Sequence, residues 1–137
     1  MTTKLDHVGI AVKKITDSLP AFEAALGVRA TEVEEVKDQK VKVVFLKTGD
    51  PGIELLESTS PDSPIARFLE KRGEGIHHLS FQVEDLKEAL ERCKKAGITL
   101  IDEEPRPGAQ GKLIAFLHPK STNGVLIELS QERSQKE

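Results

Sequence analysis

Four residues of this 137-residue chain carry metal-ligand chemistry in a repeated pattern: His7 and Glu54, then His78 and Glu128. The histidines lie 71 positions apart and the glutamates 74. Imidazole nitrogen and carboxylate oxygen together suit a divalent cation of the zinc, cobalt, nickel, manganese or iron type. The single cysteine, Cys93, can close no intrachain disulfide and build no thiolate zinc cluster, so any metal must use His and carboxylate. Taken singly, a strand histidine is usually a hydrogen-bonded core or surface residue, and a strand glutamate is usually exposed. Four such residues in register across a repeat favour a metal site.

The repeat extends well beyond these positions. Asp6-His7-Val8-Gly9-Ile10-Ala11-Val12 aligns with His77-His78-Leu79-Ser80-Phe81-Gln82-Val83, and the same offset carries Leu19 onto Leu90, Ala25 onto Ala96, Phe45 onto Phe116 and Leu46 onto Leu117. Each half closes with Gly and an apolar strand bearing a carboxylate, Gly52-Ile53-Glu54-Leu55 and Gly124-Val125-Leu126-Ile127-Glu128-Leu129. Three extra residues in the second hairpin explain the shift from 71 to 74, since loops absorb insertions at little cost.

Hydrophobic periodicity in the first half predicts a strand over 5–12, a helix from Ile15 to Leu26 capped by Gly27, and strands over 31–36, 41–47 and 53–57. The second half predicts the same order: a strand over 76–83, a helix over 86–95, and strands near 98–101, 113–117 and 125–129. Ser63 and Pro64 should open a linking helix over 63–71, and a charged tail covers 131–137. The fold expected is therefore α+β, a single domain of two tandem βαβββ modules, about 5–57 and 76–130, forming a half-open, eight-stranded curved sheet. Strand alternation puts His7, Gly9 and Ala11 on one face and Val8, Ile10 and Val12 on the other. It likewise sets His78, Ser80 and Gln82 opposite Leu79, Phe81 and Val83. All four ligand candidates fall on the concave side, whereas His77 points away from it as a packing residue.

A formal charge of −3 is too balanced for a surface that holds nucleic acid or anionic lipid. With no Trp or Tyr and five Phe, the chain has no stacking platform for bases. No apolar run approaches the roughly 20 residues of a membrane span, and the first residues lack signal-peptide order, so the expected location is the cytoplasm.

Asp6 to Val12, Ile53-Glu54-Leu55-Leu56, Asp62-Ser63-Pro64-Ile65-Ala66, Gly75-Ile76-His77-His78, Gly108-Ala109-Gln110-Gly111 and Phe116-Leu117-His118-Pro119-Lys120, with the closing strand, resemble the methylmalonyl-CoA epimerases of the vicinal oxygen chelate superfamily. The resemblance runs from Leu5 to Leu129. It implies metal ligands at His7, His78 and Glu128, with Glu54 where some members have Gln, and a divalent metal, Co2+ foremost, with Zn, Ni or Mn also suited. It implies an isomerase that interconverts (2R)- and (2S)-methylmalonyl-CoA by α-proton abstraction and reprotonation through a metal-bound enolate, working as a homodimer. Some epimerases carry a further glutamate, proposed as a base, at the position matching Val43. Valine transfers no proton, so Glu54 and Glu128 are the acid/base candidates. Gln110, Lys112 and Lys120 are candidates for contacts to the CoA portion, although exposed lysines near Gly-rich turns are commonly only solvated. A glyoxalase I-type lactoylglutathione lyase and a non-catalytic metal or small-molecule binding module are the alternatives.

Overall fold

The computed structural model describes residues 3–133. Its backbone groups into two units: one spans His7–His77, and the other joins the residues before His7 to those from His78 onward.

The first unit holds β1 (Lys4–Ala11, from His7), α1 (Ile15–Leu26), β2 (Glu34–Val36), β3 (Val41–Leu46), β4 (Gly52–Ser58) and α2 (Pro64–Arg72). Its strand order is β2-β3-β4-β1, with β1 parallel to β4 and the other pairs antiparallel. The second unit holds β5 (Gly75–Gln82, from His78), α3 (Leu86–Lys95), β6 (Arg106–Pro107), β7 (Leu113–Leu117) and β8 (Ile127–Gln131), in the order β5-β8-β7-β6. Here β5 is parallel to β8, and β7 is antiparallel to it. The predicted βαβββ order thus appears in each module.

Each helix packs on the apolar side of its own sheet. In the first module Val12, Ile15, Val44, Leu46 and Leu55 form the buried cluster, joined by Ile10, Leu19 and Phe22. In the second, Leu86, Ala89, Leu90 and Cys93 of α3 meet Ala115, Leu117 and Leu129. Each fully buried leucine contributes about 1.5–3 kcal/mol over its exposed state, and the opposite face of the sheet carries the buried polar residues together with apolar ones such as Val43, Phe45 and Leu56.

The repeat extends to single hydrogen bonds. The Val12 N–H donates to the Leu56 carbonyl at 2.9 Å, and that of Val83 donates to Ser130 at 2.8 Å. Lys14, at the α1 N-cap, gives no side-chain cap, and the Ile15 N–H donates instead to Glu57 Oε1 of β4 at 2.8 Å. In the second module the Leu86 N–H donates to Gln131 Oε1 of β8 at 2.7 Å, and Asp85 adds a cap by accepting from the Glu88 N–H at 3.1 Å. These bonds satisfy donors that a helix start leaves open. The other helix ends follow expectation: Gly27 closes α1 at φ 69°, and Ser63 accepts from the Ala66 N–H at 3.0 Å with Pro64 in the first turn of α2.

One predicted strand does not form and another is shorter than its apolar pattern suggests. Residues 98–101 form no strand, making only a bridge between Leu100 and Leu117, and β2 begins at Glu34 rather than at position 31. The cause is the same in both modules. A side chain takes the hydrogen bond that a further ladder step would use: Asp102 Oδ2 accepts from the Phe116 N–H at 2.8 Å, as Thr31 Oγ1 does from that of Phe45 at 2.9 Å. The fourth strand of the second module is instead Arg106–Pro107, paired with Leu113 and Ile114.

Candidate metal centre

Within the first unit, His7 on β1 and Glu54 on β4 are buried and touch, Nε2 to Oε1, at 3.2 Å. Within the second, His78 on β5 and Glu128 on β8 are buried, with the same atoms 3.8 Å apart. Register explains both pairs. β1 and β4 are parallel neighbours, with Gly9 beside Glu54 two residues from His7, and β5 and β8 repeat this with Ser80 beside Glu128 two residues from His78.

A third residue completes each set. Phe45 lies opposite Glu54 on β3, and its ring meets that of His7 edge to face at 5.6 Å and 87°. Phe116 lies opposite Glu128 on β7 and meets His78 at 5.7 Å and 88°. These contacts hold each imidazole plane in place while its Nε2 faces the carboxylate. The sequence repeat carried both phenylalanines at the histidines' offset, and that was the available sign of their role.

Each unit thus holds an imidazole beside a carboxylate, donors that suit a divalent cation, sunk below the surface where a carboxylate is seldom left without a compensating positive charge. Ser80 and Ser130 lie on the same face as His78 and Glu128. Their side-chain oxygens are buried and have no hydrogen-bond partner among the described residues.

The other candidates stand as follows. Lys112 Nζ lies 3.1 and 3.2 Å from the carboxylate oxygens of Asp6, an ion pair in which both side chains are largely buried. Gln110 is exposed at φ 59° in the turn Ala109–Gly111. That turn sits tightly on β7, since a Cβ at Gly108 would come within 2.7 Å of Ile114 Cγ2. Lys120 is exposed, and its N–H donates to His118 Nδ1 at 3.0 Å, giving His118 a turn-forming role. His77 packs edge to face on Phe68 at 5.0 Å, as expected of a packing residue. Val43 is buried on the face of Glu54, two cross-strand pairs further along.

Residues 6–116 match the Glyoxalase/Bleomycin resistance protein/Dioxygenase superfamily. An ethylmalonyl-CoA/methylmalonyl-CoA epimerase of Cereibacter sphaeroides is 41% identical over 96% of this chain and 99% of its own length. The chain belongs to the methylmalonyl-CoA epimerase family of that superfamily. The human mitochondrial methylmalonyl-CoA epimerase is 39% identical, covering 93% of this chain and 73% of its own. A solved methylmalonyl-CoA epimerase in complex with methylmalonyl-CoA and ammonium superposes with a TM-score of 0.91 at 32% identity, over 98% of this chain and 97% of that one. These members of the family favour the epimerase reading over the lyase and over a non-catalytic module.

Proposed function

We propose that this chain is an isomerase that interconverts (2R)- and (2S)-methylmalonyl-CoA, with His7, Glu54, His78 and Glu128 holding one divalent cation. The observation that carries the reading is the duplicated, buried His–Glu pair, each set against a phenylalanine at the same place in its module. The solved epimerase that binds methylmalonyl-CoA supports the substrate.

The substrate's C2–H lies between a thioester and a carboxylate and is only weakly acidic. A bound dication supplies a Lewis acid that stabilises the negative charge developing on oxygen. The chain's own residues then move the proton. One glutamate carboxylate takes H+ from C2 on one face of the substrate, leaving the electron pair delocalised onto the thioester oxygen. The other, as a carboxylic acid, returns H+ to C2 on the opposite face, so the configuration inverts and nothing else changes. With valine at position 43, Glu54 and Glu128 are assigned these two roles. The phenylalanine beside each histidine keeps its ring from turning, so the ligand atoms are arranged in advance.

Co2+ is the cation proposed first; Zn, Ni and Mn accept the same donors. Gln110, Lys112 and Lys120 are assigned to the CoA portion, Lys120 as an exposed cation and Lys112 through the region it shares with Asp6. Among the described residues no helix is long and apolar enough to cross a membrane, and we place the enzyme in the cytoplasm as a homodimer. Exposed Ile76 and Val33 offer apolar surface for such an assembly.

His7→Ala or His78→Ala should each lose the cation and the activity while the chain stays folded, read by elemental analysis and circular dichroism. Full metal occupancy in either variant refutes the site. Parallel assays with methylmalonyl-CoA and with a glutathione hemithioacetal separate epimerase from lyase.

A further inference from the structure

The buried hydroxyls of Ser80 and Ser130 need an explanation, because a polar group shut away from water without a partner destabilises the fold. The repeat provides an internal control. Counting by its own offsets, Ser80 corresponds to Gly9 and Ser130 to Leu56, neither of which has a side-chain hydroxyl. The module folds without a polar atom at either place, so backbone architecture does not demand one.

The two serines share another property. Ser80 is the register partner of Glu128 across the parallel β5–β8 ladder, and Ser130 follows Glu128 by two residues, so all three face the same way. The His78–Glu128 contact, at 3.8 Å, is longer than the 3.2 Å of His7–Glu54, so the imidazole holds the Glu128 carboxylate less closely. A small rotatable donor therefore stands beside the carboxylate whose own module's imidazole lies further off, and among the described residues its oxygen has no hydrogen-bond partner.

We propose that Ser80 is a positioning residue for Glu128: when Glu128 binds the cation through one oxygen, the Ser80 hydroxyl turns and donates to the other. Hydrogen bonds from outside the ligand set orient carboxylate ligands, and losing them typically weakens metal binding 10- to 100-fold. Ser130, further along the strand, fills space and takes no part. The two modules thereby differ in a definite way. His7 steadies Glu54 directly, and Ser80 steadies Glu128. This inference rests on the proposed metal site and adds to it a residue that is not itself a ligand.

The test compares Ser80→Ala and Ser130→Ala with the parent as full-length chains. Co2+ and Zn2+ affinities are measured by competition with a chelator, and thermal unfolding is measured without metal. Ser80→Ala should unfold at or above the parent temperature when metal-free, because an unsatisfied hydroxyl is gone, yet bind Co2+ about 10- to 100-fold more weakly with an altered visible spectrum. Ser130→Ala should keep the parent's affinity within about threefold, well short of the loss expected for a ligand-orienting group. Parent affinity and spectrum in Ser80→Ala overturn the inference and leave the metal site standing. A parent protein that binds neither cation overturns both.

Discussion

Replacing Glu54 by Gln tests the division of labour between the two glutamates. Gln keeps the length and a carbonyl oxygen, so the contact at 3.2 Å from His7 Nε2 and the packing beside Phe45 can survive, but an amide is no base at neutral pH. Glu128 belongs to the other unit's ladder and is untouched. On the proposed assignment, one of the two proton transfers should be removed selectively. Losing a general base costs roughly 10²- to 10⁴-fold, which at 1.36 kcal/mol per decade is about 3–5 kcal/mol of barrier. In deuterated water the variant should still exchange the C2 hydrogen of one epimer through Glu128, while interconversion falls by that factor. NMR follows exchange and a coupled stereospecific assay follows interconversion. Val43 offers a second arm, since it lies on the face of Glu54 two pairs away. Val43→Glu combined with Glu54→Gln moves the carboxylate along the same wall and should recover part of the lost rate. Parent-rate epimerisation by metal-loaded Glu54→Gln would show that Glu54 is a ligand only.

Three further outcomes are expected. Glu57→Ala should destabilise by about 1–2 kcal/mol and Gln131→Ala by less, because α1 has no other side-chain cap whereas α3 keeps Asp85; chemical denaturation compares them, and equal losses would contradict the capping argument. Hydrogen bonds from Lys40 and then Ser60 hold the Asp62 carboxyl at about 2 instead of 3.8. A lowered folded value stabilises above the ordinary range and is lost as pH falls through about 2, so Lys40→Ala should move the Asp62 titration, followed by carboxyl-carbon NMR, up toward 3.8 and end that contribution at a higher pH. Burial raises the Cys93 thiol above its ordinary 9.0, so it should resist alkylation until the chain is unfolded in urea; rapid labelling of the native protein would contradict its place on the buried side of α3.

The sequence was most informative where the repeat and strand alternation act together. Offsets of 71 and 74 matched His7 to His78 and Glu54 to Glu128, and parity put all four on one kind of face without any knowledge of distance. Helix ends were legible at Gly27 and Ser63, where a single residue type solves a local hydrogen-bond problem. Other features depended on side chains that imitate backbone. Asp102 and Thr31 take ladder bonds where hydrophobicity argued for strand, and Glu57 and Gln131 cap helices that begin more than 40 residues away in sequence. Periodicity cannot see such bonds. The edge-on phenylalanines were visible as repeated letters, but their ring geometry came only from β3 and β7 lying beside the glutamate strands.

The caps on α1 and α3 also act as a mechanical stop. On β4 Glu54 faces inward, and Glu57, an odd number of residues later, faces outward to α1; Glu128 and Gln131 stand in the same relation on β8. Each of these strands is bolted from both sides. A slip of two residues would keep every side chain on its proper face and preserve the apolar pattern, so hydrophobicity alone barely opposes it. It would nevertheless carry the acceptor some 7 Å from its helix N–H. Where a glutamate sits along its strand is thus fixed by an anchor on the far side of the sheet, and a substitution at position 57 or 131 should detune a proposed ligand it never touches.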